Sequence, residues 1–161
     1  MEDPFTPAEH AAWSGLLGTF GRLSALIDAD LRGRFGISHV EFEALLRLSL
    51  SRDGRLRLRD LAERSILTRS GMSRAVERLE RSGLVRRIRA AEDRRGAYAE
   101  LTVAGRDLFA SAAAGHADFV RARFLSLFSE DELGRMAAFW ERVAASAEGG
   151  EVVVGGRKAS A

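Results

Sequence analysis

Thr68-Arg69-Ser70-Gly71-Met72-Ser73-Arg74-Ala75-Val76-Glu77-Arg78-Leu79-Glu80-Arg81-Ser82-Gly83 reads as one amphipathic helix with a marked start and a marked stop. Thr68 is an N-cap residue, suited to accept from the unpaired N–H groups of a first turn. Gly83 supplies the left-handed residue that closes many helices. At a helical 100° per residue, Met72, Val76 and Leu79 share a narrow arc that must pack on a core. Ser70, Arg74, Glu77 and Arg81 point the opposite way, and Ser73 and Arg78 lie on the flanks. Short polar and arginine side chains at the exposed start of a helix suit a DNA major groove. There the first turns touch base edges while their neighbours hold phosphates. The candidates for base contacts are Ser70, Ser73 and Arg74, with Arg74 to a guanine foremost. Thr68, Arg69 and Arg78 are candidates for phosphates. The alternative is an ordinary surface helix laced by its own pairs, such as Glu77–Arg81.

Upstream, a shorter helix over about Arg57–Arg64, with Leu58, Leu61 and Ala62 inward, makes a helix-turn-helix with the first. Arg52-Asp53-Gly54-Arg55 reads as a turn before it. Downstream, Leu84–Arg89 and Ala97–Leu101 read as two strands around the tip Ala90–Gly96. That tip contains Asp93-Arg94-Arg95-Gly96, two cations with a carboxylate close enough to orient one of them. Arginines entering a narrow minor groove exploit its enhanced negative potential. A solvated charged turn is the alternative for the tip alone.

Residues 52–96 hold 14 arginines against 7 acidic residues, while the whole chain carries only +2. A one-signed block of this kind concentrates polyanions. The chain contains no Asn and no Gln, the side chains best matched to adenine, so base reading falls to Arg, Ser, Thr, carboxylates and apolar contacts. With no Cys, disulfides, thiolate metal sites and thiol redox sensing are excluded. The acidic start Met1-Glu2-Asp3-Pro4 and the absence of a long apolar run predict no export signal, no membrane partner and a cytoplasmic location.

Working outward, Trp13, Leu16, Leu17, Phe20, Leu23, Ile27 and Leu31 recur at helical spacing and predict a long helix over about Ala8–Arg34. Ser38 caps a second helix to about Ser49, with Phe42, Leu45, Leu46 and Leu48 as its apolar residues. Thr102 caps a helix to about Phe128. Ser129 and Glu132 form a capping box for a last helix carrying Leu133, Met136, Trp140 and Val143. The expected fold is mainly α, with a small two-stranded wing. It divides into an N-terminal dimerisation helix (8–36), a winged helix-turn-helix domain (37–102) and C-terminal dimerisation helices (103–148). The Gly-rich, basic tail (149–161) is expected to be disordered. The apolar stripes with Trp13, Phe20, Phe139 and Trp140 exceed what the winged core can cover: either the first and last helices pack on each other within one chain or, the favoured expectation, they interdigitate with a second copy.

Helix-turn-helix, Gly83-Leu84-Val85-Arg86-Arg87, Asp93-Arg94-Arg95-Gly96 and Leu101-Thr102-Val103-Ala104-Gly105 together resemble the MarR family of winged-helix regulators. The likeness extends over about Ala8–Ala147, including Ser38-His39-Val40-Glu41-Phe42-Glu43 at the opening of the second helix. It implies that Arg95 enters the minor groove, that Asp93 braces it, and that Arg94 adds a phosphate contact. It also implies a homodimer paired through the first, fifth and sixth helices. A small aromatic or amphipathic effector is implied too, in a pocket that Trp13, Phe20, His39 and Phe42 are placed to line.

The sequence thus predicts a transcriptional regulator, a repressor above all, released from a pseudopalindromic operator by a ligand. No cofactor is expected. Two other functions remain open at this point. An architectural DNA binder with little sequence preference would suit the missing Asn and Gln. A metal-binding or enzymatic module would have to use His39 and nearby carboxylates. Against it, no phosphate-binding Gly-x-x-x-x-Gly-Lys, His-Glu-x-x-His or Gly-x-Ser-x-Gly occurs, and His10, His39 and His116 are scattered.

Overall fold

Thr6 opens the first helix with a reciprocal cap: its hydroxyl accepts from the Glu9 N–H, and the Glu9 carboxylate accepts from the Thr6 N–H at 2.8 Å. Pro7 follows at the position where its missing N–H costs nothing. The resulting helix α1 spans Pro7–Phe35, and α2 spans His39–Ser49 behind the same kind of box between Ser38 and Glu41. The computed structural model describes residues 4–63, 69–89, 97–147, 153–154 and 157–158. The order continues with β1 (Arg55–Arg57), α3 (Leu58–Glu63), α4 (Arg69–Arg81), β2 (Val85–Arg89), β3 (Ala97–Leu101), α5 (Val103–Arg123) and α6 (Glu130–Ala147). The chain divides after Phe119 into two units.

In the first unit, the core gathers Leu31 of α1, Leu45 and Leu48 of α2, Leu61 of α3, Met72, Val76 and Leu79 of α4, and Val85 and Leu101 of the sheet. The arc read from periodicity on α4 is buried: Met72 and Leu79 are 1% exposed and Val76 0%. Gly83 adopts φ 72°, and the Leu84 N–H then reaches back to the Leu79 carbonyl at 2.9 Å, ending α4. Helix α5 runs through Gly115, whose carbonyl accepts from Arg34 at 3.2 Å.

The sheet has three strands in the order β1-β3-β2, where the sequence predicts two. Arg55–Arg57 pairs antiparallel with Tyr98–Glu100, in a place read as turn and helix start. Three residues are too few for alternation to show, and the partner strand lies some forty positions on. The Leu-Thr-x-x-Gly run explains itself at the start of α5. Thr102 Oγ1 donates toward the Gly83 carbonyl at 2.7 Å and accepts from the Gly105 N–H at 3.0 Å, capping the helix. A side chain at Gly105 would collide with the Leu84 carbonyl, so only glycine lets α5 start against that backbone.

The second unit holds the end of α5, a 3₁₀ turn at Leu125–Leu127 and α6. The predicted helix to Phe128 stops earlier, at Arg123, where Phe124 and Phe128 meet edge-on at 5.2 Å across the turn. Ser129 and Glu132 form the expected capping box. In the tail, Val153–Val154 pairs with Arg157–Lys158, in a stretch expected to be disordered.

Candidate nucleic-acid interface

Helix α4 meets the core with its apolar arc, so Ser73 and Arg74 are turned to solvent. Arg74 has no partner among the described residues. The carboxylates of α4 are committed elsewhere. The carboxylates of Glu77 and Glu80 reach Arg87 of β2 at 3.6 and 2.9 Å, and Arg81 Nε donates to the Glu77 carbonyl at 3.3 Å. The intrahelical Glu77–Arg81 ion pair of the surface-helix alternative is therefore replaced by a tie between helix and sheet. That tie draws negative charge away from the first turns of α4.

Arg78, expected at a phosphate, is held from behind. Its Nε donates to Glu41 Oε1 at 2.6 Å, and Glu41 Oε2 accepts from the Ser38 N–H and hydroxyl, both at 2.7 Å. Glu41 is only 6% exposed. Burial pushes its pKa up, but the hydrogen bonds from Ser38 and the Arg78 guanidinium outweigh that and hold it below the usual carboxylate value. The capping carboxylate of α2 thereby fixes the last turn of α4. Sequence reasoning missed this role, for a capping box says nothing of what lies behind it.

Arg69 and Ser70 open α4. Thr68 and the wing-tip residues Asp93, Arg94 and Arg95 lie outside the described residues. Below the tip, Arg86 pairs with Glu100 at 2.7 Å, and Arg57 Nε donates to the Tyr98 hydroxyl at 3.1 Å. Arg55 and Arg57 each stand 5.5 Å from the Tyr98 ring centre. Among the residues put forward from sequence none belongs to this group, although Arg55 and Arg57 lie inside the basic block.

Of the four residues named for an effector pocket, the structure brings two together. Phe20 and His39 line a groove of about 650 Å³ between α1 and α2, with Ser24, Val40, Leu46 and Leu50, and with the Glu43–Arg47 ion pair (2.6 Å) on its wall. Phe42 turns into the core, packed 5.7 Å from Phe109 and 4.8 Å from His116 between ring centres. Trp13 stands farther up α1 and does not line the groove. Among the described residues no three His, Asp or Glu side chains converge as a metal set, and no helix is long and apolar enough to cross a membrane.

A helix-turn-helix braced by a three-stranded wing defines a winged-helix DNA-binding class. The model of the MarR family matches residues 35–96, beginning at the last residue of α1. The HTH-type transcriptional repressor MdtR of Bacillus subtilis (strain 168) is 32% identical over 100 residues, 62% of this chain and 64% of MdtR. AbsC, a MarR family transcriptional regulator from Streptomyces coelicolor, is 30% identical with a TM-score of 0.82, over 92% of this chain and 99% of AbsC. Sco3205, a regulator of the same family and organism solved in complex with DNA, is 31% identical with a TM-score of 0.83, over 90% and 91% of the two chains. The chain belongs to the MarR family of transcriptional regulators. It is a regulator, not an enzyme.

Proposed function

We propose that the chain represses transcription as a homodimer bound to a pseudopalindromic operator, each subunit laying α4 in a major groove. The observation that carries this reading is the outward face of α4. Ser73 and Arg74 stand exposed there, while the helix's carboxylates are engaged by Arg87 and its apolar arc is buried. Arg74 reads a guanine, Ser70 and Ser73 lie against neighbouring base edges, and Thr68 and Arg69 hold phosphates. At the tip, Arg95 enters the minor groove, braced by Asp93, with Arg94 on the backbone. Arg78 reaches a phosphate only with the part of its guanidinium that Glu41 leaves over. The exposed Trp13, Leu16, Leu17 and Phe20 of α1, and Phe139, Trp140 and Val143 of α6, support a partner copy. Two-fold symmetry then sets the α4 helices about 34 Å apart, one DNA turn.

The groove between α1 and α2 supports release by a small aromatic or amphipathic effector. Phe20 offers a ring face, His39 and the Arg47 side of the wall offer polar groups, and α2 passes directly to Glu41 behind α4. An effector that prefers a dimer with mismatched α4 spacing lowers operator affinity by its differential binding, typically 5–150-fold, or about 1–3 kcal/mol. The decisive experiment is competition binding after genomic footprinting has supplied the operator. The dimer should prefer it by at least about 10³ over random duplex at near-physiological salt. Arg74→Ala should cost about 1–3 kcal/mol and relax specificity at one base position per half-site. A protein that binds all duplexes alike is an architectural binder, and the reading then fails.

A further inference from the structure

Helix α1 gives the groove Phe20 and Ser24, one turn apart, and α2 gives it a stripe that runs from His39 to Leu50. Phe20, Val40, Leu46 and Leu50 supply apolar walls, and about 650 Å³ is room for a compact organic molecule. The charged side chains on the wall are Glu43 and Arg47, and Arg47 is spent on Glu43. Its Nε and one terminal nitrogen both donate to the same Glu43 Oε1, at 3.0 and 2.6 Å. The pair is also half withdrawn from water, with 24% of the Arg47 side chain and 16% of the Glu43 side chain exposed. Opening it would strand a carboxylate beside an apolar wall. An organic anion entering the groove therefore meets a carboxylate and a guanidinium that is already engaged.

Two other polar groups on the wall are not engaged in this way. The Ser24 hydroxyl makes no hydrogen bond among the described residues, whereas Ser14 on the same helix donates to the His10 carbonyl at 2.6 Å. The His39 ring makes none either; its backbone N–H is the part that Asp28 accepts from, at 2.8 Å. A hydroxyl and an imidazole can each donate and accept. One from each helix suits a hydroxyl or carbonyl oxygen on a flat apolar body. Neither replaces the paired cation that a buried carboxylate needs.

We infer that the groove selects uncharged aromatic effectors, with a hydroxyl or carbonyl group set between Ser24 and His39, and excludes aromatic carboxylates through the closed Glu43–Arg47 pair. The inference rests on the reading of this groove as an effector site, and its test keeps the two apart. Naphthol and naphthoate, substituted at the same ring position, are alike in size and differ in charge. Each is titrated calorimetrically into the full chain at about pH 8, above the ordinary range of an imidazole. Naphthol should bind about 10-fold more tightly or better, because naphthoate must bring an uncompensated charge against an apolar wall. Glu43→Gln keeps the shape and releases Arg47, so naphthoate should recover most of that factor while naphthol changes little. Val40→Trp fills the groove and should abolish naphthol binding, with circular dichroism verifying that the helices persist.

Naphthoate binding as tightly as naphthol overturns the inference and leaves the effector reading standing, as does a preference that Glu43→Gln does not move. Naphthol binding that survives Val40→Trp in a folded chain puts the probe elsewhere and overturns it as well. If neither probe binds, the effector reading of the groove falls, and this one with it.

Discussion

Helices α4 and α1 are both amphipathic, but only one of them is finished within the chain. On α4 every residue of the apolar arc is covered, and Met72, Val76 and Leu79 are at most 1% exposed. On α1 only Ile27 and Leu31 are buried, with Leu23 and Phe35 packed against the core, while Trp13 stays 53% and Phe20 59% exposed. A helix that must present a fixed polar face to a groove is anchored from behind by its own domain. A helix whose apolar stripe stays in water awaits a second surface. On the proposed dimer, the difference separates stability held within one chain from stability supplied by association.

The sharpest break in that contrast is Leu79→Ala. Truncating a fully buried leucine on α4 should cost about 2–5 kcal/mol through lost transfer energy and the cavity left behind. Urea unfolding should show a matching fall in midpoint at unchanged slope. The same chemistry on α1 should behave oppositely. Trp13→Glu/Leu17→Glu removes side chains that the single chain does not bury, so the secondary structure should survive. Dimerisation should weaken by about 30-fold or more, as for loss of an interface hot spot, which sedimentation equilibrium reads. An unchanged association constant would show that α1's exposed stripe is not the interface.

Glu41→Gln probes how α4 is held rather than how it is buried. The substitution keeps the shape but removes the charge that orients Arg78 and accepts from Ser38. Loss of a charge-assisted, buried acceptor should cost about 1–3 kcal/mol. Operator affinity should fall as well, because the last turn of α4 loses its tie to α2. Full retention of both would reduce the 2.6 Å contact to an incidental pairing.

These contrasts also mark what the sequence could reveal. Periodicity placed α4 and its buried arc, because both are local and a helix face repeats every few residues. Capping residues placed the starts of α2 and α6 for the same reason. Strand β1 escaped, since Arg-Leu-Arg carries no pattern until β3 pairs with it. Arg78 was put at a phosphate because its side chain flanks the exposed face, and only the fold brings Glu41, thirty-seven positions earlier, against its guanidinium. Phe42 was offered to the effector groove on its aromatic character, but α2's rotation sends it toward Phe109 and His116. In each case the deciding neighbour is distant in sequence, and no one-dimensional pattern encodes it.

The smallest effect concerns pH and the ring that Phe42 meets. Burial, then the nearby His39, push the His116 pKa below its ordinary 6.5, with Asp30 opposing. The folded state therefore binds fewer protons than the unfolded chain as pH drops below that value. Stability from His116 is complete above the unfolded pKa and declines as pH falls toward the lowered folded one. Glu41, also lowered, adds a decline in the same direction at more acidic pH, through its folded pKa. Unfolding midpoints measured downward from neutral pH should thus fall in two stages, the first belonging to His116. His116→Phe should abolish the first stage and leave the second, while Glu41→Gln should leave the first and shrink the second, which Asp28, lowered as well, shares. A first stage that persists in His116→Phe would assign it to another group.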